Sequence, residues 1–309
     1  MTGPPMSIVI PSRSRADLLH ACLASVLAHR PIGTQIIVVD DGSRDSIISR
    51  TAQRFADVET LRLPTSHGFC HAVNAGLRLT RAPIIELLND DTIVTAGWAD
   101  AALAAFDEQH IGAVAPLVLA GIPGTSDPRI DSAGDGYDSG GFAFKLGHGE
   151  RPDGDLLRPR DVPAASGSSV FLRRTALART GLLPEHFHAY FEDVDLSLRL
   201  TAAGYRIAYV PDSVVWHRGG CSHGTTSRRL LTQQSCNEER LFWRQQARSP
   251  RARNVVRHAA VLAGKALRRM REGRLLPFAL GRLRAWHELI FNRPLKGSSP
   301  CLTPLPGPR

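Results

Sequence analysis

The chain has 309 residues and 43% of them are hydrophobic, so it can build one large domain, or one domain with an appendage, around a packed core. Its five cysteines are widely spaced without a Cys-x-x-Cys pair, which argues against a disulfide framework or structural zinc site and is typical of a reducing compartment. The formal net charge of +9 is unevenly divided. Residues 1–240 carry 23 Lys and Arg against 27 Asp and Glu, whereas residues 241–309 carry 15 against 2.

The sequence begins MTGPPMSIVIP, without the basic and long apolar segments of a secretory signal. No stretch approaches the roughly 18 consecutive apolar residues that indicate a membrane span. We therefore expect a cytoplasmic protein.

Short apolar runs alternate with helical patterns over the first 120 residues. The runs show no in/out alternation, which predicts a mainly parallel sheet buried on both faces by helices. The predicted strands contain SIVIP (7–11), QIIVVDD (35–41), VETLRLP (58–64), APIIELLNDD (82–91) and IGAVAP (111–116). Polar clusters follow three of these strands, at 12–15, 40–41 and 89–91. Because ligands bind beyond the carboxyl ends of parallel strands, the clusters predict one site.

The remainder of the chain divides into three parts. Residues 120–165 are rich in Gly, Asp and Pro and predict a long loop or hairpin region that covers a ligand. A strand and helix follow at SSVFLRRTALARTG (168–181), then a helix to about Ala203 and one or two strands ending at His217. From about residue 226 the pattern is helical, and the last dozen residues predict disorder.

Six motifs occur in order: SIVIPSRSR, IIVVDDGSRD, HGFCHAVNAGL, LLNDDT, YFEDVDLSLRLTAAGYRIAYVPD and WHRGG. Over residues 6–225 the chain resembles the family 2 glycosyltransferases, in their rhamnosyltransferase-like branch. The resemblance implies an α/β fold of the GT-A type, a Rossmann-like sheet flanked by helices. We thus predict a GT-A catalytic domain at 1–225, a basic amphipathic helical extension at 226–295 and a disordered tail at 296–309.

The resemblance places a divalent cation, Mn²⁺ or Mg²⁺, beside NDD, which matches the family's DxD motif with Asn89 in place of its first acid. It implies that Asp91 binds the metal and that Asp90 lies by the ribose. His217 is the second expected ligand, of the metal or of the diphosphate. Acids at a strand end suit a hard cation that bridges to phosphate; the alternative is a solvated Asp-rich turn.

Asp193 matches the family's catalytic base, which accepts the acceptor hydroxyl's proton in an inverting transfer. Glu192 would orient the acceptor or shift the pKa of the base. Acids in a first helical turn also complement the helix dipole, which is the structural alternative for this cluster.

The resemblance assigns the nucleotide to the first strands. Asp41 would accept the imide N–H of a pyrimidine, which favours uracil or thymine, although guanine also offers an N–H. Pro11, Ser12 and Arg13 lie where the family cradles base and ribose, but the frequent Tyr-Asn or His-Asn pair is Arg13-Ser14 here.

Three further residues are weaker candidates for donor contacts. Gly68 and Asn74 belong to a helix start that either approaches the ligand or serves as a cap and packing point. Arg218 either contacts the diphosphate or is a surface charge.

The basic tail contains apolar residues at helical spacing, from Val255 to Met270 and from Leu276 to Ile290. This pattern suits an interfacial helix pair on anionic lipid at the inner face of the cytoplasmic membrane. The alternative is an appendage packed on the catalytic domain. A nucleic-acid surface is not expected, because the tail contains no known nucleic-acid-binding module.

The combined prediction is an inverting, metal-dependent glycosyltransferase. It would move a sugar from a UDP- or dTDP-sugar to a glycan or lipid-linked acceptor in cell-envelope or exopolysaccharide synthesis. A catalytically degenerate module and a sugar-nucleotide nucleotidyltransferase are the alternatives. The first strand is not followed by the glycine-rich loop that a nucleotidyltransferase needs.

Overall fold

The computed structural model describes residues 3–219 and 227–291. The predicted tail at 296–309 and the predicted boundary at 225/226 lie outside these residues. The described chain forms two compact units. The sheet unit comprises residues 3–136 and Lys145–Gly219, and the helical unit comprises Tyr137–Phe144 with residues 227–291.

Strands and helices alternate in the first part of the described chain, several strands then follow one another, and three consecutive helices come last. The strands are Met6–Ser12 (β1), Gln35–Asp40 (β2), Val58–Arg62 (β3), Ile84–Leu88 (β4), Thr92–Val94 (β5), Ile111–Ala120 (β6), Arg129–Ser132 (β7), Asp135–Asp138 (β8), Phe142–Lys145 (β9), Arg160–Asp161 (β10), Ser169–Arg173 (β11) and Arg206–His217 (β12). The helices are Ala16–His29 (α1), Ile47–Ala52 (α2), Phe69–Leu77 (α3), Trp98–Ala105 (α4), Arg174–Thr180 (α5), Glu192–Ala202 (α6), Arg228–Arg248 (α7), Ala252–Arg271 (α8) and Leu275–Phe291 (α9).

A mixed sheet organises the sheet unit. Its order within the described residues is β10-β12-β6-β11-β4-β1-β2-β3, with β5 beside β12 and β7 beside β6. The strands β1 to β4 are parallel neighbours, as are β6 and β12, whereas β11 is antiparallel between β4 and β6. Most paired residues are parallel, which confirms the predicted fold class. The carboxyl ends of β1, β2 and β4 therefore meet at one edge.

The core of the sheet unit explains why the strand sequences do not alternate. Every residue of β1, β2 and β4 is buried. Side chains of α1 and α4, including Leu23 and Trp98, pack with strand residues such as Ile8 and Val38 in one apolar cluster. Strands covered on both faces need apolar residues at consecutive positions.

The helical unit is built around buried ion pairs. Arg282 of α9 pairs with Glu238 and Glu239 of α7, and Glu239 also contacts His258 of α8. At Gly281 an added Cβ would lie 2.4 Å from the carbonyl oxygen of Thr232, so only glycine permits this close approach of α9 to α7. None of the described helices has both the length and the hydropathy of a membrane span.

Candidate active site

Two adjacent carboxylates, Asp90 and Asp91, follow β4 at the carboxyl edge of the sheet. Arg15 bridges them: its Nη1 donates to Asp91 Oδ2 at 2.6 Å and its Nη2 pairs with Asp90 Oδ1. Ser12, the last residue of β1, donates its hydroxyl to Asp90 Oδ2 at 2.6 Å. Both oxygens of Asp90 are therefore engaged. Asp91 Oδ1 is buried without a partner in hydrogen-bond geometry.

The two carboxylates differ in their proton affinity. Burial raises the pKa of Asp90 to about 6, although Arg15 and Ser12 favour its ionised form. Burial acts on Asp91 in the same direction, but His217 and Arg15 outweigh it and hold the pKa of Asp91 below its usual value. Asp91 is thus ionised at neutral pH, as a cation ligand must be.

His217 ends β12 and faces two acids. Its Nε2 lies 3.2 Å from Asp91 Oδ1, and its Nδ1 lies 2.9 Å from Asp131 Oδ2. Burial would lower the pKa of His217, but these two carboxylates raise it to about 9. Lys145 donates to Asp131 Oδ2 at 2.7 Å, so Asp131 is itself held in place.

The atoms around Asp91 fit a divalent cation. Two ligands of one octahedral cation with bonds of about 2.1 Å lie about 3 Å apart, close to the observed separation of Asp91 Oδ1 and His217 Nε2. A carboxylate on the second nitrogen of a ligand histidine is the usual supporting arrangement, and Asp131 supplies it. Within residues 3–219 and 227–291, no group of three or more His, Cys, Asp or Glu forms a complete metal site.

Asp193 lies in the first turn of α6. Its Oδ2 accepts the backbone N–H of Gly167 at 2.8 Å and its Oδ1 that of Val194 at 2.8 Å. Burial nevertheless raises the pKa of Asp193. A raised pKa brings a carboxylate closer to the range in which a base works at neutral pH.

Two other acids accompany Asp193. Burial, followed by the charge of Asp193, raises the pKa of Glu192 to about 8 and that of Asp135 to about 7. Glu192 Oε2 is buried without a hydrogen-bond partner. A protonated Glu192 at neutral pH would offer a donor beside the carboxylate of Asp193.

The predicted nucleotide residues occupy one edge of the sheet. Asp41 follows β2, and its two oxygens accept from the Ser66 hydroxyl at 2.6 Å and the His67 N–H at 3.0 Å. Pro11 is buried within β1, whereas Arg13 beyond the strand is exposed. Asp41 keeps lone pairs for a further donor, because each carboxylate oxygen accepts more than one hydrogen bond.

The three weaker candidates, Gly68, Asn74 and Arg218, each make contacts within the protein. Asn74 is buried, and its amide bonds the backbone of Leu183 in both directions, at 2.8 and 3.0 Å. These contacts fit the alternative role of a packing residue, and donor contact by Asn74 stays a prediction. Gly68 caps α3 at a φ of 96° and packs against His188, where an added Cβ would lie 3.2 Å from the ring. The N–H of Arg218 donates to the carbonyl of Asp91 at 2.9 Å, which holds this residue beside the site.

Sequence reasoning did not single out Arg15, Asp131 or Lys145. Arg15 belongs to the polar cluster after β1, but nothing local indicates that it reaches residues 75 and 76 positions away. Asp131 and Lys145 lie in the segment predicted as a loop or hairpin. Only the pairing of the short strands in that segment places Asp131 beside His217, and the sequence does not reveal that pairing.

The sequence matches the description "Glycosyl transferase family 2" over residues 7–181, and "Glycosyl transferase family group 2" over residues 157–270. A pre-mycofactocin glycosyltransferase of Mycobacterium tuberculosis is 29% identical over 213 residues, 69% of this chain and 42% of that protein. The chain thus spans under half the length of this relative. The N-acetylglucosaminyl-diphospho-decaprenol L-rhamnosyltransferase of the same organism is 30% identical over 65% of this chain and 71% of its own.

Among solved structures, GalNAc-T7 with UDP, GalNAc and Mn²⁺ is similar with a TM-score of 0.62. The match has 17% sequence identity and covers 78% of this chain and 48% of that one. At this identity the similarity establishes the fold alone, and it confirms the predicted GT-A type.

Proposed function

Because the chain belongs to glycosyl transferase family 2, we propose that it is an inverting, metal-dependent glycosyltransferase using a UDP- or dTDP-sugar. The observation that carries the proposal is the arrangement of Asp91 and His217, with Asp131 behind the histidine. Asp193 lies in the same unit and supplies a carboxylate. The fold by itself does not require Asp91, His217 and Asp131 to lie in contact with one another.

In this proposal Asp91 Oδ1 and His217 Nε2 hold a Mn²⁺ or Mg²⁺ ion, and His217 gives up the proton that the two carboxylates otherwise stabilise, because only a neutral imidazole binds a metal. When bound, such an ion offsets the negative charge that develops on the departing diphosphate. Arg15 keeps Asp90 and Asp91 together by charge, so the Asp91 oxygen without a hydrogen bond stays directed to the cation. Asp90, with both oxygens engaged, is the neighbour on the nucleotide side and not a ligand.

Asp193 accepts the proton of the attacking acceptor hydroxyl. The N–H groups of Gly167 and Val194 fix its carboxylate and favour the ionised form before attack. Glu192 hydrogen-bonds the acceptor or tunes the proton affinity of the base. Two observations support these roles: both acids lie in the first turn of α6, and burial raises the pKa of each.

The donor base is proposed to meet Asp41, with Pro11, Ser12 and Arg13 nearby. An ionised carboxylate selects a ring that carries an N–H donor, which uracil and thymine do. One of the relatives named above is a rhamnosyltransferase whose name specifies a decaprenol-linked N-acetylglucosamine. It supports a glycan or lipid-linked acceptor in cell-envelope synthesis.

The helical unit is proposed to contact an anionic membrane surface. Residues that the tail pattern predicted as an apolar face are exposed, including Val256, Leu276 and Ile290 at 72, 64 and 66%. Exposed apolar side chains interleaved with arginines suit a lipid interface.

The test of the transfer reaction is Asp193→Asn. We expect sugar transfer to be abolished while UDP plus Mn²⁺ still raises the melting temperature, because the base takes part in chemistry and not in donor binding. Asp212→Asn, an exposed change on β12, is the matched control. Near-normal turnover of Asp193→Asn would remove this residue as base.

A panel of sugar nucleotides, each with Mn²⁺, identifies the donor by thermal stabilisation. Wild-type protein that neither hydrolyses nor transfers any stabilising donor would instead indicate a catalytically degenerate module. Pyrophosphate-dependent formation of a nucleoside triphosphate would indicate a nucleotidyltransferase.

A further inference from the structure

We propose that the helical unit contains a binding pocket for one hydrocarbon chain of an anionic membrane lipid. The inference rests on the membrane contact proposed above and deepens it from a surface to a pocket. It is independent of the chemistry at Asp91 and Asp193.

The pocket lies among the C-terminal part of α7, the start of α8 and the end of α9. Its volume is about 680 Å³, within the range of small-molecule sites. Its lining includes the apolar side chains of Trp243, Ala252, Val255, Trp286 and Leu289. It is an open groove with an almost wholly apolar surface, and such a groove favours an apolar ligand.

The polar groups of the lining are engaged within the helical unit. The indole N–H groups of Trp243 and Trp286 both donate to Glu239 Oε1, at 2.7 and 2.6 Å. The amide of Gln246 bonds the backbone of Arg251 in both directions, at 3.2 and 3.1 Å. The walls are thus fixed in place, and these side chains do not require a polar ligand.

The surroundings of the pocket have the charge that an anionic head group needs. Arg251 lines the pocket and is exposed. Of the six Lys and Arg of α8, Arg253 and Arg257 lie in its first two turns beside the pocket, both exposed, and Arg257 pairs with Asp138. Ile290 belongs to the lining, and Phe291, 70% exposed, extends the apolar surface beyond it. An apolar pocket beside exposed cations matches a molecule with a hydrocarbon chain and an anionic head.

The test uses the full chain and vesicles of phosphatidylglycerol whose acyl chains carry bromine, a short-range quencher of tryptophan emission. We expect quenching of Trp243 and Trp286. Trp98 and Trp216 are 0 and 8% exposed in the sheet unit and should keep their emission. Non-brominated vesicles give the reference signal.

Val255→Asp places a charge in the pocket, and Val256→Asp places the same charge on the neighbouring exposed position. Val255→Asp should raise the half-saturating lipid concentration at least about tenfold more than Val256→Asp does, a difference of about 1.4 kcal/mol. Ala252→Leu, which fills the pocket without charge, should weaken quenching in the same way. It keeps the test decisive if Val255→Asp loses helicity.

Equal loss in the two aspartate variants, or vesicle binding without quenching by chain bromine, would overturn the proposal. So would dimerisation that protects the two tryptophans from quenching, since it would assign the pocket to a second copy of the chain. UDP plus Mn²⁺ should stabilise all these variants. If UDP plus Mn²⁺ did not stabilise wild-type protein whose tryptophans are still quenched by the lipid, the result would contradict the transferase proposal and not the lipid-pocket proposal.

Discussion

Asp131 is not a proposed ligand of the cation, yet it determines how His217 faces Asp91. Its carboxylate holds Nδ1 of the imidazole at 2.9 Å, so the other ring nitrogen points to Asp91 Oδ1. Lys145 fixes the same carboxylate. Such supporting carboxylates orient a ligand histidine and raise its basicity. We therefore regard Asp131 as a positioning residue for the proposed cation.

Asp131→Asn should weaken Mn²⁺ affinity in the presence of UDP by about 10- to 100-fold. The asparagine keeps the shape but loses the charge that orients the imidazole. Calorimetric titration of Mn²⁺ into protein with UDP measures this effect without any turnover.

Asp127→Asn is the matched control, because Asp127 is an exposed acid that pairs with Arg129 and Arg151. It should leave Mn²⁺ affinity unchanged. If Asp131→Asn bound Mn²⁺ as tightly as the control, Asp131 would have no part in placing His217.

Among individual residues, the sequence predicted the site side chains that directly follow strands. It did not predict the side chains that contact them from distant segments of the chain. Asp90, Asp91 and His217 adjoin apolar strands, so their position in the sheet was predictable. The contacts of Arg15 and Asp131 depend on how distant segments meet. A single sequence contains no local signal for such contacts.

Among the elements, the three long helices are joined through one buried carboxylate. Glu239 of α7 is fully buried and accepts from Trp286 and Arg282 of α9, and it contacts His258 of α8. Burial would raise its pKa, but His258, Trp286 and Arg282 lower it to about 2. The packing of these helices therefore depends on an ionised Glu239.

The stability of the helical unit should fall as the pH drops from about 4.5 to about 2. A folded-state pKa below the unfolded value contributes stability above the unfolded pKa, and that contribution is lost as the pH falls towards the folded value. The shift corresponds to roughly 3 kcal/mol at neutral pH. Urea unfolding of the full chain, followed by tryptophan emission at several pH values, measures the loss.

Glu239→Gln should remove most of this pH dependence and lower stability at pH 7, because it leaves Arg282 with less compensating charge. Glu272→Gln is the control, since Glu272 pairs with Arg268 and Arg269 at the surface. A Glu239→Gln protein with the wild-type pH profile would show that another group governs acid unfolding.

The predicted elements were most accurate where the pattern was long and apolar. The strands β1, β2, β4 and β6 lie where runs of consecutive apolar residues predicted them. In the segment 120–165, four short strands occupy what was predicted as a loop or hairpin region. They are only two to four residues long and three of them contain Asp, so pairing with neighbours, not local propensity, determines them.

The whole molecule separates its charges along the chain. Residues 1–240 have 23 cationic and 27 anionic side chains, and the tail beyond them has 15 and 2. The proposed chemistry lies in the first part and the proposed lipid contact in the second. A net charge of this kind directs association with a charged surface without determining the fold.

Membrane association should therefore depend on where cations are removed and not only on how many. Arg253 and Arg271 are exposed on α8, and each arginine near an anionic surface contributes about 1 kcal/mol. Arg253→Gln with Arg271→Gln should weaken sedimentation with anionic vesicles by roughly 30-fold. The effect should shrink at high salt, because screening shortens the range of these charges.

Arg44→Gln with Arg50→Gln changes the net charge equally, on exposed positions of the sheet unit. If the helical unit faces the lipid, this control should sediment almost as wild-type protein does. Equal losses in the two double variants would mean that net charge alone governs the attraction. In that case the arginines of α8 would be a solvated face, and the membrane contact of the helical unit would have to be abandoned.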